Sequence, residues 1–184
     1  MNFIKHTFTF LAFGLLSFTV FDKEDFDFNY PNRKKTTITT KLTNFKNFTK
    51  EWRGTDYYYY AMSADSIICS VLYYKLNKGE QKQYVDLFGG MTNSGIPFAY
   101  FSENSNLKKY EKNVSNWGKM TDDFMFRQND IADYEGIKIS QKHMYAYSMF
   151  DKDLFVIVHL SKTNYSSTDS TAMREILANF KKKD

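Results

Sequence analysis

The chain opens with an uncharged run of apolar and small residues, Thr7 to Val20, behind the basic pair Lys5-His6. It then turns abruptly polar at Phe21-Asp22-Lys23-Glu24-Asp25. This three-part layout predicts a secretory signal over residues 1–20, with small residues Ser17 and Thr19 placing cleavage after Thr19. The run is shorter than the ~20 residues that span a bilayer, so no stable membrane span is expected after cleavage. Residues 21–35 are charged, with scattered aromatics and Pro31, and read as a polar leader. Residues 36–184 show no internal linker or repeat and are expected to form one domain.

Within that domain the apolar rhythm changes several times. Thr36–Thr43 (TTITTKLT) is β-branched and predicts a strand. Leu42, Phe45, Phe48 and Trp52 then recur at three- and four-residue spacing, which predicts a helix from Asn44 to Trp52 ended by Gly54. Tyr57–Met62 and Ile67–Leu76 read as strands, the second apolar on both faces like a central strand. After a turn at Asn77–Glu80, Gln83–Phe88 reads as a third strand of a meander, and the Gly-rich stretch Gly89–Gly95 as a loop. Leu107, Tyr110, Val114 and Trp117 predict an amphipathic helix ended by Gly118. Ile137-Lys138-Ile139 suggests a short strand. His143–Phe150 and Leu154–Ser161 predict a hairpin around Asp151-Lys152-Asp153, and Asp169–Lys181 predicts a closing helix. The expected fold is therefore α+β, an antiparallel sheet of about five to six strands with helices packed on it.

Composition narrows the class. The 184 residues are 42% hydrophobic and 25% charged, which is globular. Aromatics reach 18%, so a Phe- and Tyr-rich core can bury much area without disulfides. The single Cys69, inside the apolar run Ile67–Leu72, excludes an intramolecular disulfide and reads as a buried thiol. A net charge of +4, in short basic groups with acidic residues between them, does not point to nucleic acid.

The closing segment, hairpin MYAYSMFDKDLFVIVHL, loop SKTNYSSTDS and helix TAMREILANFKKK, resembles the end of Mog1/PsbP-like domains. That resemblance implies a small α/β sandwich, often exported and often without catalysis. It carries over no functional residue.

No catalytic group is singled out. The Gly-rich stretch lacks the Gly-Lys-Ser/Thr of a phosphate loop, and no Gly-x-Ser-x-Gly elbow occurs. His143 and His159 lie on the two arms of the predicted hairpin. A three-residue loop sets Tyr145 opposite His159 and His143 on the same face, whereas a two-residue loop points the two His to opposite faces. Two His without a third ligand do not make a metal site, and no metal or other cofactor is expected. The run Tyr57–Tyr60 alternates between faces, so Tyr57 and Tyr59, with Tyr73 from the next strand, are candidate binding residues beside His143 and His159. The expectation is an exported, periplasmic or extracellular, non-catalytic binding or accessory domain that engages an envelope or secreted protein. The alternatives are a carbohydrate-binding module using a Tyr-rich sheet face, and an unrecognised hydrolase.

Overall fold

The computed structural model describes residues 23–54, 56–82 and 113–183. Its strands, in chain order, are β1 (Glu24–Asn29), β2 (Thr37–Leu42), β3 (Thr49–Arg53), β4 (Asp56–Met62), β5 (Ile68–Lys75), β6 (Asn113–Lys119), β7 (Met125–Tyr134), β8 (Ile137–Asp151) and β9 (Leu154–Thr163). Helix α1 (Ser167–Ala178) and the short strand β10 (Lys181–Lys182) close the chain. The strands form a three-stranded sheet, β1-β2-β10, and a seven-stranded sheet, β3-β4-β5-β9-β8-β7-β6. All pairings are antiparallel.

One face of the large sheet carries Tyr59, Ala61, Cys69, Val71, Tyr73, Ala146, Val156, Val158 and Leu160, all buried. The small sheet covers it with Phe28, Ile38 and Leu42, and α1 with Met173 and Leu177. The rings interlock edge to face: Phe28 meets Phe48 at 4.8 Å and Tyr59 at 5.1 Å between centroids. Two phenols reach across the layers. Tyr73 donates to the Phe28 carbonyl at 2.6 Å, and Tyr59 to the Asn29 carbonyl at 2.8 Å. Arg33 adds a surface clamp, donating to Asp151 and Asp153 at 2.7 Å each.

The chain is thus mainly β, a sandwich of two sheets, and the expected α+β fold is corrected. Two physical causes account for the strands found where helices were expected. Asn44 and Asn47 adopt left-handed backbone, φ 67° and 44°. Such residues stop a helix and wind a loop that delivers Phe45 and Phe48 to the core at helix-like spacing. The chain then runs straight as β3, where a helix to Trp52 was predicted.

The second cause is a bulge between Val114 and Asn116 in β6. It sets Val114 opposite Asn129 and Trp117 opposite Arg127, two positions on one face of β7. A strand with one extra residue therefore shows an i, i+3 spacing that reads as helical. Gly118, expected as a helix stop, pairs inside the strand, and positions 107–112 of that expected helix lie outside the described residues.

Other expectations shift less. The strand-like residues 137–139 belong to the long β8, which leaves β7 through the two-residue turn Glu135-Gly136 with both residues at positive φ. Gln83–Phe88 and the loop Gly89–Gly95 lie outside the described residues. β5 itself has β4 on one side and β9 on the other. Residues 78–82 are helical rather than a turn: Asn77 accepts from the Gly79 and Glu80 amides, and Glu80 accepts from the Asn77 amide. Residues 24–29 of the expected leader form β1.

Candidate functional site

The face of the large sheet turned away from the small sheet carries a cluster of buried polar residues. From β5 to β7 it presents Ser70, His159, Ser161, His143, Tyr145, Tyr147, Arg127 and Asn129 in register. Leu72, Tyr74, Met149, Phe155 and Ile157 form its apolar part. Ser70 stands opposite His159, which stands opposite Tyr145, which stands opposite Arg127. Tyr58 on β4 donates to the Ser70 hydroxyl at 2.9 Å.

The two histidines meet. His143 Nδ1 and His159 Nε2 are 2.9 Å apart, a hydrogen bond in which one ring's N–H serves the other's lone pair. Their register has a specific origin. The turn between β8 and β9 has two residues, Lys152 and Asp153, since Asp151 pairs with Leu154. By itself that length sends the two rings to opposite faces. The register shift between Met149 and Asp151 leaves Phe150 out of the ladder and restores the alignment, so Tyr145 pairs with His159. The bulged Phe150 is used elsewhere, stacked on Tyr73 at 5.9 Å.

The pair sits in a stack of parallel rings. His159 lies 4.4 Å from Tyr145 at an interplanar angle of 10°, and Tyr147 continues the row 6.0 Å from Tyr145. Burial pushes the His143 imidazolium down to about 4, against a smaller opposing pull from Asp130. His159 is held down to about 3 by burial and then by the neighbouring His143 ring. Both rings are neutral at pH 7. His143 is 4% exposed, and its Nε2 has no hydrogen-bond partner among the described residues. No three His, Cys, Asp or Glu side chains converge as metal ligands among the described residues.

The other candidate residues lie on the covered face. Tyr59 and Tyr73, 2% and 0% exposed, bind β1 to the large sheet, and Tyr57 is half-buried between Trp52 and Tyr59. Cys69 is buried, and desolvation pushes its thiol well above the ordinary value.

A different region is open. Tyr60, Met62 and Ile68, on the polar-site face near the β3 edge, are 40%, 64% and 42% exposed. Met62 and Ile68 are direct cross-strand partners. With Lys46, Asn47, Thr49 and Ala61 they line a shallow groove of about 300 Å³. Sequence reasoning missed it. Tyr60 stood in the Tyr run, but which of its faces is uncovered depends on the small sheet, which the residue pattern did not reveal.

The fold and these two regions define a two-sheet β protein with a desolvated histidine pair and an open apolar groove. No protein-family model matches the chain. No curated protein matches it, and no solved structure matches it.

Proposed function

We propose that this protein is an exported, non-catalytic binding domain that holds an envelope or secreted protein in the groove of Tyr60, Met62 and Ile68. The observation that carries the reading is the exposure of these three adjacent apolar side chains. Single exposed apolar residues are ordinary, but a cluster in a groove beside an open strand marks a contact surface. Lys46 and Thr49 give it a polar rim, as protein contact surfaces have. The leading segment, with its basic start and uncharged apolar run, supports export. The similarity of the closing hairpin, loop and helix to often-exported, non-catalytic domains supports the same reading.

The histidine pair supports catalysis poorly. A general base near neutral pH needs its titration close to the working pH, and these rings titrate far below it. The carbohydrate reading rested on a Tyr-rich sheet face of the run Tyr57–Tyr60; Tyr59 and Tyr73 are buried, Tyr57 and Tyr58 half-buried, and Tyr60 alone of these is exposed.

The test is capture from the native host with a C-terminally tagged chain, beside the Met62→Asp/Ile68→Asp variant. A stoichiometric protein companion held by the parent and lost from the variant supports the groove. No companion, or one that the variant retains, overturns it. The mature N-terminus, read by mass spectrometry, is expected near residue 20; an intact Met1 in the cytoplasm overturns export.

A further inference from the structure

Among the described residues, β3 is an open edge of the large sheet. All five of its residues are exposed, and it pairs with β4 in a regular register without a bulge. At the sheet's other edge, β6 carries a bulge. A flat edge strand leaves one row of backbone N–H and C=O groups open to another strand, and proteins guard such edges with charge, bulges or covers. Here the guard is charge: Lys50, Glu51 and Arg53 are three of five residues.

Those charges select a partner. Glu51 and Arg53 share one face with Thr49, and Lys50 and Trp52 share the other. Take a second copy of β3, antiparallel, with the two-fold axis perpendicular to the sheet. Centred on Lys50, it sets lysine against lysine; centred on Glu51, glutamate against glutamate. Centred on Trp52, it sets Glu51 opposite the second copy's Arg53 and Arg53 opposite its Glu51. Lys50 then faces Gly54, and the two Trp52 rings lie side by side at the axis. Opposite charges directly across a ladder are favourable and like charges are not.

We propose that the protein self-associates through β3 in the Trp52-centred register, joining two seven-stranded sheets into one continuous sheet. Two further observations fit. Trp52 is 53% exposed, and it already extends an aromatic row, 5.7 Å from Tyr30 and 4.9 Å from Tyr57. The second copy's Trp52 lengthens that row across the axis. In the single chain, Glu51 and Arg53 pair with each other at 2.7 Å on the surface, with side chains 45% and 61% exposed. An exposed pair of this kind holds little free energy, so exchanging partners across the axis is easy. A five-residue strand buries less than a standard stable interface, so the dimer is weak and concentration-dependent.

The test is sedimentation velocity on the full processed chain across a wide concentration range. The parent is expected to shift from monomer to dimer as concentration rises. Glu51→Arg and Arg53→Glu, each alone, place like charges opposite one another and are expected to stay monomeric at concentrations where the parent is half dimeric. Mixed in equal amounts, these two variants present opposite charges again and are expected to form a heterodimer. Both sites are exposed, and circular dichroism checks that each variant keeps its strands. A parent that stays monomeric throughout overturns the proposal. So do single variants that dimerise like the parent, or a mixture that remains monomeric while the parent dimerises. The Met62→Asp/Ile68→Asp chain is expected to dimerise like the parent, so failure of the groove reading and failure of this one are told apart.

Discussion

At the scale of single residues, Tyr73 shows how an aromatic-rich sequence divides its rings between packing and hydrogen bonding. Its ring is buried on β5 while its hydroxyl serves the Phe28 carbonyl of the other sheet. Burial raises its phenol above the ordinary value, so it remains a neutral donor at any ordinary pH. Tyr73→Phe leaves that carbonyl buried without its donor and is expected to destabilise by about 1–3 kcal/mol, measured by urea unfolding. The histidines predict a pH dependence. In the unfolded chain each takes up a proton near 6.5, whereas folded His143 does so only near 4. Below pH 6.5 the unfolded state therefore binds more protons, and stability falls as pH drops from 6.5 towards 4. At pH 5 the His143 contribution is a loss of about 2 kcal/mol relative to pH 7.5. Asp27, Asp153 and Asp169, held low by their basic or capping partners, titrate below this window and do not mask it. Equal unfolding midpoints at pH 7.5 and 5.0 count against the buried pair. The meeting of the histidines was half legible in the sequence. The hairpin was readable from its two apolar arms, but the face depended on whether Phe150 stays in the ladder, which alternation alone does not reveal.

At the scale of elements, α1 was legible because its signals agree, although the expected helix Asp169–Lys181 runs Ser167–Ala178 and Lys181 pairs in β10 instead. Its apolar positions recur at helical spacing, and Ser166 and Asp169 form a capping box, with Asp169 also bound by Lys162 at 2.6 Å. Ser166→Ala is expected to lower stability by about 1 kcal/mol, read as a shift in thermal midpoint with the β signal unchanged. The loop from Thr43 to Phe48 was illegible for the opposite reason. Its aromatics share the helical period, and only Asn44 and Asn47 hint otherwise, since Asn tolerates left-handed backbone. Asn47→Gly is expected to be near neutral, while Asn47→Val destabilises by about 1 kcal/mol or more. Similar losses for both substitutions would show that the backbone angle is not what holds the loop.

At the scale of the whole molecule, the sequence suggested one domain built around central strands, and β5 and β9 are indeed adjacent in the middle of the large sheet. It did not suggest a second sheet, because β1 looks like a charged leader. In EDFDFN only Phe26 and Phe28 turn inward, and their value appears only once Phe48, Tyr59 and Phe180 surround them. Phe28→Ala empties the middle of that cluster and is expected to cost about 3–5 kcal/mol, with both sheets melting in one transition. Two separate transitions would mean that the sheets are independent units.

The small sheet has a consequence for how the protein is made. Its middle strand, β2, lies between β1 from the start of the chain and β10 from its end, and Phe180 fills the core between them. The residues of β10 are made long after those of β1 and β2, so a growing polypeptide that has not yet reached Phe180 has nothing with which to close its sandwich. Stalled nascent chains that still hold β10 inside the ribosomal exit tunnel should therefore be cut readily by protease, and chains with a spacer long enough to bring β10 out should resist. A chain that stays open until β10 has emerged exposes its aromatic core to proteases and chaperones for longer than one closed by local contacts.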